Sequence, residues 1–427
     1  MIATSTSQPT PSVTTEQGAI TATPLSPGTV EWYRARGERW LREHATVTWE
    51  RPSRGLQVFG LGTATRRIGA RGEGLREARA AIEELLAGLW ESPAGAPAPM
   101  VFLSASFDPG NPLRDPAWDA FGGWQVLLPA ITIVRRGEAW SGVACAGDFP
   151  AGPAEETAPL EEQTGANLGS AIAEAVGEIR AGQYQKVVLA GSRVVPVGPA
   201  APADILARLV AAFPTTCIFS IRAGGWTWLG ASPEPLAGVQ DGRLELVSLA
   251  GSRRRGRDAA EDAALEAELL ASEKERWEHR LVVEAIRQEV GELAEGLEIP
   301  GAPTVMKLAN IQHLYTPIAG RLAPGASLLD VVERLHPTPA VGGWPRDAAL
   351  DAIRRLERMD RGWYAGPVGW VDPSGNGEFV VGLRTALVGG GRARLYAGAG
   401  IVADSTPAGE LEEIETKLDA LRGVINR

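Results

Sequence analysis

Apolar residues recur at helical spacing in several stretches of the chain. Leu75, Ile82, Leu85, Leu86 and Leu89 form one set, and Leu168, Ile172, Val176 and Ile179 a second that stops at Gly182. Leu411, Ile414, Leu418 and Leu421 form another after residue 407. Each set lies on one face of a 3.6-residue period, so each predicts an amphipathic helix. Longer helical patterns cover 259–295 and 346–358. Runs of strand-forming residues occupy 101–107, 125–134, 184–189, 217–222, 226–229 and 244–249, the last just after the turn pair Asp241-Gly242. A meander closes the pattern: 367–371, a Pro-Ser-Gly-Asn-Gly turn, 378–387, a triple-glycine turn, and 393–402. Turns this short join antiparallel neighbours, which predicts an α+β fold rather than a parallel doubly wound sheet.

The same pattern divides the chain. Residues 1–27 are rich in Thr, Ser and Pro and nearly free of large apolar groups, so they cannot offset their ordering entropy and are expected to form a flexible tail. Residues 28–160 read as an N-terminal subdomain, with a Pro/Gly/Glu surface connection over 149–164. The better-patterned 161–427 reads as the catalytic region. With 44% hydrophobic and 22% charged residues, the 427-residue chain has the make-up of a globular protein. A net charge of -10 argues against a nucleic-acid partner but not against a small anion, because a few placed cations or a metal can dominate a local field. The 2 cysteines offer neither a disulfide framework nor a zinc cluster, and a reducing cytoplasm is expected. No apolar run is long enough to cross a membrane as a helix, and a soluble, unexported protein is expected.

Candidate chemistry comes from a few positions. On the last helix Glu410, Glu413 and Lys417 are spaced i, i+3, i+7, a second stripe about 100° from the apolar one. Two carboxylates aimed into a cleft suit Mg²⁺, a hard cation that keeps waters and takes one or two protein carboxylates. The alternative is a solvated face with a Glu413–Lys417 helix pair. Glu278 sits in the mixed-charge run Ser272 to His279, where surface exposure is the commoner outcome. Lys186 stands just before three apolar residues in a strand-like run. Burial disfavours an ammonium, so such a lysine can act as a general base, or it can simply blunt an edge strand. Glu234, after Gly230-Ala231-Ser232-Pro233 at a strand end, suits a general acid if burial raises its pKa. Arg384 faces a strand carrying Gly398 and Gly400, where close backbone approach and a guanidinium together suit a carboxylate. No dinucleotide fingerprint, P-loop, Gly-x-Ser-x-Gly elbow or metal-spaced histidine pair is present.

In order, these pieces resemble the chorismate-utilising enzymes, and within them the isochorismate synthases. The matching segments are Lys186-Val187-Val188-Leu189, Leu229 to Glu234, Leu249 to Gly256, Ser272 to His279, Asn310 to Leu314, His336 to Ala340, the meander, and Gly409 to Lys417. The likeness is strong over 165–425 and weaker around 101–135. It implies a two-layer α/β sandwich of large antiparallel sheets with the cleft between them, and conversion of chorismate to isochorismate with Mg²⁺. By position it implies that Lys186 activates water and that Glu234 protonates the departing hydroxyl. Glu278 and Glu413 would be metal ligands, with Glu410 nearby. Tyr364, Arg384 and Gly398 would hold the enolpyruvyl carboxylate, with Lys417 near the ring carboxylate. Gly251, Ser252, Ala340 and Val341 would line the substrate. One departure is local: the family commonly places Arg soon after the Lys-Val-Val-Leu run, where this chain has Ala190-Gly191-Ser192 before Arg193.

The resemblance also ranks alternatives. Amine-adding relatives, the anthranilate and aminodeoxychorismate synthases, typically lack a lysine at the Lys186 position and take ammonia from a glutaminase. Lys186 therefore favours water, and no glutaminase subunit is expected. Salicylate synthases keep the lysine and go on to eliminate pyruvate, but the His-Pro-Thr-Pro-Ala run is closer to plain isochorismate enzymes. A non-catalytic chorismate-binding protein would be expected to have lost one of Lys186, Glu234, Glu278 or Glu413. Gln312 to Pro317 is similar to menaquinone-type enzymes, with a siderophore route as the alternative. A monomer is expected.

Overall fold

The computed structural model describes residues 20–90, 97–145, 160–161, 167–197, 202–307 and 311–426. Nearly all strands fall into two large antiparallel sheets, of 11 and 10 strands. In the larger sheet, Lys186–Pro196 lies between the short Gly343–Trp344 and Arg392–Ile401, followed by Thr385–Gly389, Trp226–Ser232, Cys217–Ala223 and Ala45–Arg51. The smaller sheet runs through Ile311–Leu322, Arg243–Arg254, Pro235–Gln240, Gly377–Val381, Pro367–Val371 and Val101–Ala105. The expected α+β class with large antiparallel sheets is what the chain adopts. Strands from before residue 145 and after 186 pair within both sheets, for example Ala45–Arg51 with Cys217–Ala223 and Val101–Ala105 with Pro367–Val371. One extended core of buried side chains spans both sheets and includes Trp49, Trp118, Trp228, Trp363 and Phe379.

The chain crosses from one sheet to the other at two adjacent places. Trp226–Ser232 belongs to the larger sheet and Pro235–Gln240 to the smaller, with Ser232-Pro233-Glu234 making the step. Gly377–Val381 and Thr385–Gly389 cross in the opposite sense through Gly382-Leu383-Arg384. The crossings run side by side: the Val381 amide donates to the Glu234 carbonyl at 3.0 Å and the Ala231 amide to the Arg384 carbonyl at 3.2 Å. The expected single strand over 378–387 is therefore two strands in different sheets. Gly382 permits the step, since a Cβ there would lie 2.8 Å from the Trp228 ring.

Other expectations change at identifiable residues. The run 125–134 is split into Trp124–Leu128 and Ile131–Arg136 on either side of Pro129, which lacks a ladder donor. The helical stretch 259–295 is two helices, Ala259–Ala271 and Glu273–Val290, because Ser272 caps the second with its hydroxyl accepting from the Glu275 amide. Its last residues turn into the strand Ala294–Glu298. Residues 20–27, assigned to the flexible tail, are built into the fold: Ile20–Thr21 pairs with Leu89–Trp90 and Thr23–Pro24 with the strand Ala139–Ala144. The remainder of that tail, most of the 149–164 connection and Asn310 lie outside the described residues.

The last helix, Pro407–Ile425, starts at a Thr406 cap and buries Ile414, Leu418, Leu421, Val424 and Ile425. Full burial of each large aliphatic side chain stabilises the fold by about 1.5–3 kcal/mol, enough to press this helix against the Arg392–Ile401 strand. Helix Glu273–Val290 packs on Arg243–Arg254 of the other sheet. The two helices thus bring acidic faces to the same cleft from opposite sides.

Candidate active site

Lys186 is the first residue of its strand and pairs with Trp344. Its side chain lies across the neighbouring strand at Gly400, where a Cβ would come within 3.1 Å of the lysine Cε. Glycine there leaves the path open. The ammonium reaches 3.9 Å from Glu278 Oε2, and the two side chains are only 12% and 14% exposed. Glu278 comes from the Glu273–Val290 helix. Burial raises its pKa, as do the carboxylates of Glu275 and Glu413, while Lys186 and Lys274 pull it down.

Glu234 sits at the first sheet crossing. Its pKa is raised to about 7, chiefly by burial, with Lys186, the Thr338 hydroxyl and Lys417 acting the other way. A carboxyl in that range can hold a proton near neutral pH and release it. Arg384 occupies the second crossing, in the left-handed region at φ 50°. Its guanidinium has no ion-pair partner among the described residues and stands 5.0 Å from the Phe213 ring centroid. Burial pushes its pKa down, so it presents a cation that an anion could meet.

From the last helix, Lys417 donates to the Gly398 carbonyl at 2.8 Å and to Glu413 Oε1 at 2.7 Å. Ser405 donates to Glu410 Oε1 at 2.6 Å. Both readings of this helix therefore coexist: the Glu413–Lys417 helix pair is formed, and the stripe also faces the cleft. Glu410 is raised by burial and by Glu413. Glu278, Glu410 and Glu413 offer hard oxygen donors whose mutual repulsion a divalent cation would relieve, so the donor set suits such an ion. Among the described residues, no group of three or more Asp, Glu, His or Cys side chains is already gathered as a metal centre.

Tyr364 stacks on Tyr396 at 5.2 Å, and its hydroxyl lies 3.3 Å from the point a Cβ on Gly398 would occupy. Gly251 forms a bulge between Ala250 and Ser252 at φ 78°, with Glu275 3.2 Å from where its Cβ would be. Ser252 donates its amide to Glu275 Oε2 at 3.0 Å. Ala340 and the buried Val341 lie in the turn after helix Leu328–Leu335, whose amides at Val341 and Gly342 donate to the Thr338 carbonyl at 3.1 and 2.9 Å.

Lys186, Glu234, Glu278, Glu410, Glu413 and Lys417 lie within reach of one another's charges. Glu234 feels Lys186 and Lys417, Glu278 feels Lys186 and Glu413, and Glu410 feels Glu413 and Lys417. Two further residues belong to this space and were not singled out from the sequence. His313 lies opposite Ser252 in the strand register, 2.7 Å from its hydroxyl. Burial and the charges of Lys417 and Arg384 lower its pKa to about 4. The period-two alternation of Ile311–Leu322, which buries Gln312, Leu314 and Thr316, carried the signal that His313 points the other way. Thr338 is the second, and only the folded turn brings it to Glu234.

The chain matches the family of chorismate binding enzymes over residues 147–426. It is 41% identical over 362 residues to the salicylate biosynthesis isochorismate synthase of Pseudomonas aeruginosa, covering 78% of this chain and 75% of that one. It is 37% identical over 345 residues to the isochorismate synthase MenF of Bacillus subtilis, covering 75% and 73%. The solved structure of the menaquinone-specific isochorismate synthase MenF from Escherichia coli superposes with a TM-score of 0.77 at 26% identity, covering 95% of this chain and 94% of that one. Among the described residues, no helix is long and apolar enough to cross a membrane. With two large antiparallel sheets and a family match over residues 147–426, the chain belongs to the chorismate binding enzyme family.

Proposed function

We propose that this protein is an isochorismate synthase, a hydroxymutase that adds water to ring carbon 2 of chorismate and expels the hydroxyl of ring carbon 4. The observations that carry this reading are Glu234, with its pKa raised to about 7 chiefly by burial, and Lys186, whose Nζ lies 3.9 Å from Glu278 and whose charge reaches Glu234. Lys186, acting as its neutral amine, removes a proton from water as the water oxygen bonds to carbon 2. The ring double bonds shift, the carbon–oxygen bond at carbon 4 breaks, and Glu234 delivers the proton that lets the hydroxyl depart as water. Addition and loss balance, so no oxidant or group donor is needed. The cleft water then resets the two side chains by proton exchange.

Chorismate is a dianion, and in this reading Arg384 and Lys417 supply the cations its carboxylates need. Arg384 and the Tyr364 hydroxyl hold the enolpyruvyl carboxylate beside Gly398, where close backbone approach is possible. Lys417 serves the ring carboxylate. Gly251, Ser252, Ala340 and Val341 shape the ring site. Glu278 and Glu413, with Glu410 beside them, would hold Mg²⁺, which fixes the ring carboxylate and offsets charge developing in the displacement.

In this reading the enzyme acts alone as a cytoplasmic monomer, without a glutaminase, and its product feeds menaquinone synthesis. The 312–317 segment and the MenF relatives support that route, whereas the Pseudomonas aeruginosa relative supports a salicylate or siderophore route. Incubating the pure protein with chorismate and Mg²⁺, with and without ammonium, and separating the products tests the chemistry. Isochorismate in both mixtures is expected; anthranilate or aminodeoxychorismate with ammonium, or salicylate with pyruvate, would replace this reading. Rescue of a menaquinone auxotroph tests the route.

A further inference from the structure

The strand that begins with Lys186 has an incomplete neighbour. Gly343–Trp344 pairs only with Lys186 and Val187, and beyond them no strand among the described residues lies beside that edge. A buried ion pair between Glu357, the last residue of helix Arg346–Glu357, and Arg361 just after it takes the missing place. Arg361 bonds to both oxygens of Glu357, with Nε 2.9 Å from Oε2. The Ala190 amide donates to Glu357 Oε1 at 2.7 Å, and Arg361 donates to the Val188 carbonyl at 2.8 Å. Side chains thus supply the donor and acceptor that a strand would have supplied.

The same guanidinium reaches the opposite wall. Arg361 donates to the Val341 carbonyl at 3.0 Å, and Val341 closes the turn on the Thr338 carbonyl. The Val188 amide also donates to the Gly342 carbonyl at 2.8 Å, so strand and turn are joined next to the arginine. Its cation lies 4.1 Å from the Phe107 ring centroid, and the Phe107 amide, at the end of a strand of the smaller sheet, donates to the Gly362 carbonyl at 2.9 Å. The two side chains are 2% and 1% exposed.

We infer that Glu357 and Arg361 are positioning residues that fix the Lys186 strand relative to the Thr338–Val341 turn beside Glu234. The inference rests on the proposed function for what the alignment serves, but the alignment itself is a property of the fold. Burying an ion pair is a poor way to gain stability, because desolvation offsets the attraction. Its directed bonds to two separate backbone segments give it another use, since a shift on the order of 1 Å at a reacting group costs about a hundredfold in rate. Neither side chain bonds to Arg384 or Lys417, but Arg361 lies 5.9 Å from the Tyr364 ring centroid and holds the Val341 carbonyl. Their loss should therefore lower kcat more than it raises KM.

The test uses Arg361→Lys, which keeps the charge but cannot make all of these bonds, and Glu357→Gln, which keeps an acceptor for Ala190. Hydrogen exchange of amides 186–190 and 338–342 reports the alignment without any activity. Both segments should exchange at least about tenfold faster while the distant strands stay protected, and unchanged exchange in both would overturn the inference. In the assay, kcat should fall about tenfold or more, with a smaller rise in KM; a folded variant with parental kcat would equally overturn the inference. If Arg361→Lys does not fold, Glu357→Gln decides by the same two readouts. Absence of isochorismate from the parent enzyme would sink the functional reading alone, and the exchange result would still stand.

Discussion

The Lys186 ammonium lies 3.9 Å from Glu278 Oε2, bridging a strand of one sheet and a helix packed on the other. The lysine therefore touches both halves of the proposed machinery: a carboxylate of the metal set at contact distance, and Glu234 through its field. Replacing it should disturb chemistry far more than folding. Lys186→Ala is expected to lower kcat by about 10²–10⁴, the usual range for a general base, with far-UV dichroism unchanged. Parental turnover in that variant would remove the base assignment.

Glu234 is the acid in this scheme and must carry a proton to act. Its pKa of about 7 in the free protein places the loss of that proton near neutrality, so kcat/KM should decline as pH rises through about 7. A pH profile of kcat/KM flat from 6 to 9 would contradict the role.

The same residue links pH to stability. Its folded value lies above the unfolded 4.5, so the contribution of the neutral carboxyl is complete below about pH 4.5 and is lost as pH rises through about 7. Glu234→Gln never ionises. At pH 8 it should be inactive yet more stable than the parent by about 2 kcal/mol, read from denaturant unfolding. A less stable variant would mean that burial does not set the value.

Metal dependence should report on the acidic cluster. Chelation is expected to abolish turnover and Mg²⁺ to restore it. Glu278→Gln and Glu413→Ala should each raise the Mg²⁺ concentration for half-maximal activity by at least about tenfold, which corresponds to about 1.4 kcal/mol. An unchanged titration would reject the residue concerned as a ligand. Glu413→Ala also frees Lys417, so its KM for chorismate should be measured alongside.

Arg384 tests substrate binding. Arg384→Ala removes a half-buried cation with no ion-pair partner among the described residues, so KM for chorismate should rise about a hundredfold while the fold is kept or slightly stabilised. Arg384→Lys should recover only part of the loss, because a point charge does not reproduce the planar fork. Similar KM values for parent and Arg384→Ala would show that the enolpyruvyl carboxylate is held elsewhere.

Much of this arrangement was legible before folding, wherever the signal was local. The stripe Leu411, Ile414, Leu418 and Leu421 announced the last helix, and Glu410, Glu413 and Lys417 kept their common side. The ordered motifs pointed to the family. The helices Pro27–His44, Pro202–Ala212 and Leu328–Leu335 were not read, nor was Ile311–Leu322 as a strand. Gly37, with a left-handed φ of 77°, interrupts the first of these and blurs its period.

What the sequence alone determined were properties that adjacent residues settle among themselves: amphipathic periods, turns at Asp241-Gly242 and Gly389 to Gly391, an acidic balance, and residue types able to hold a proton or an anion. The partnerships were decided only when the sheets formed. Glu234 and Arg384 became neighbours because two chain crossings run side by side, and Thr338 reached Glu234 because a turn was tied to the Lys186 strand by Arg361. Burial and the field of distant charges set a pKa, and both depend on atoms far apart along the chain. No window of sequence contains them.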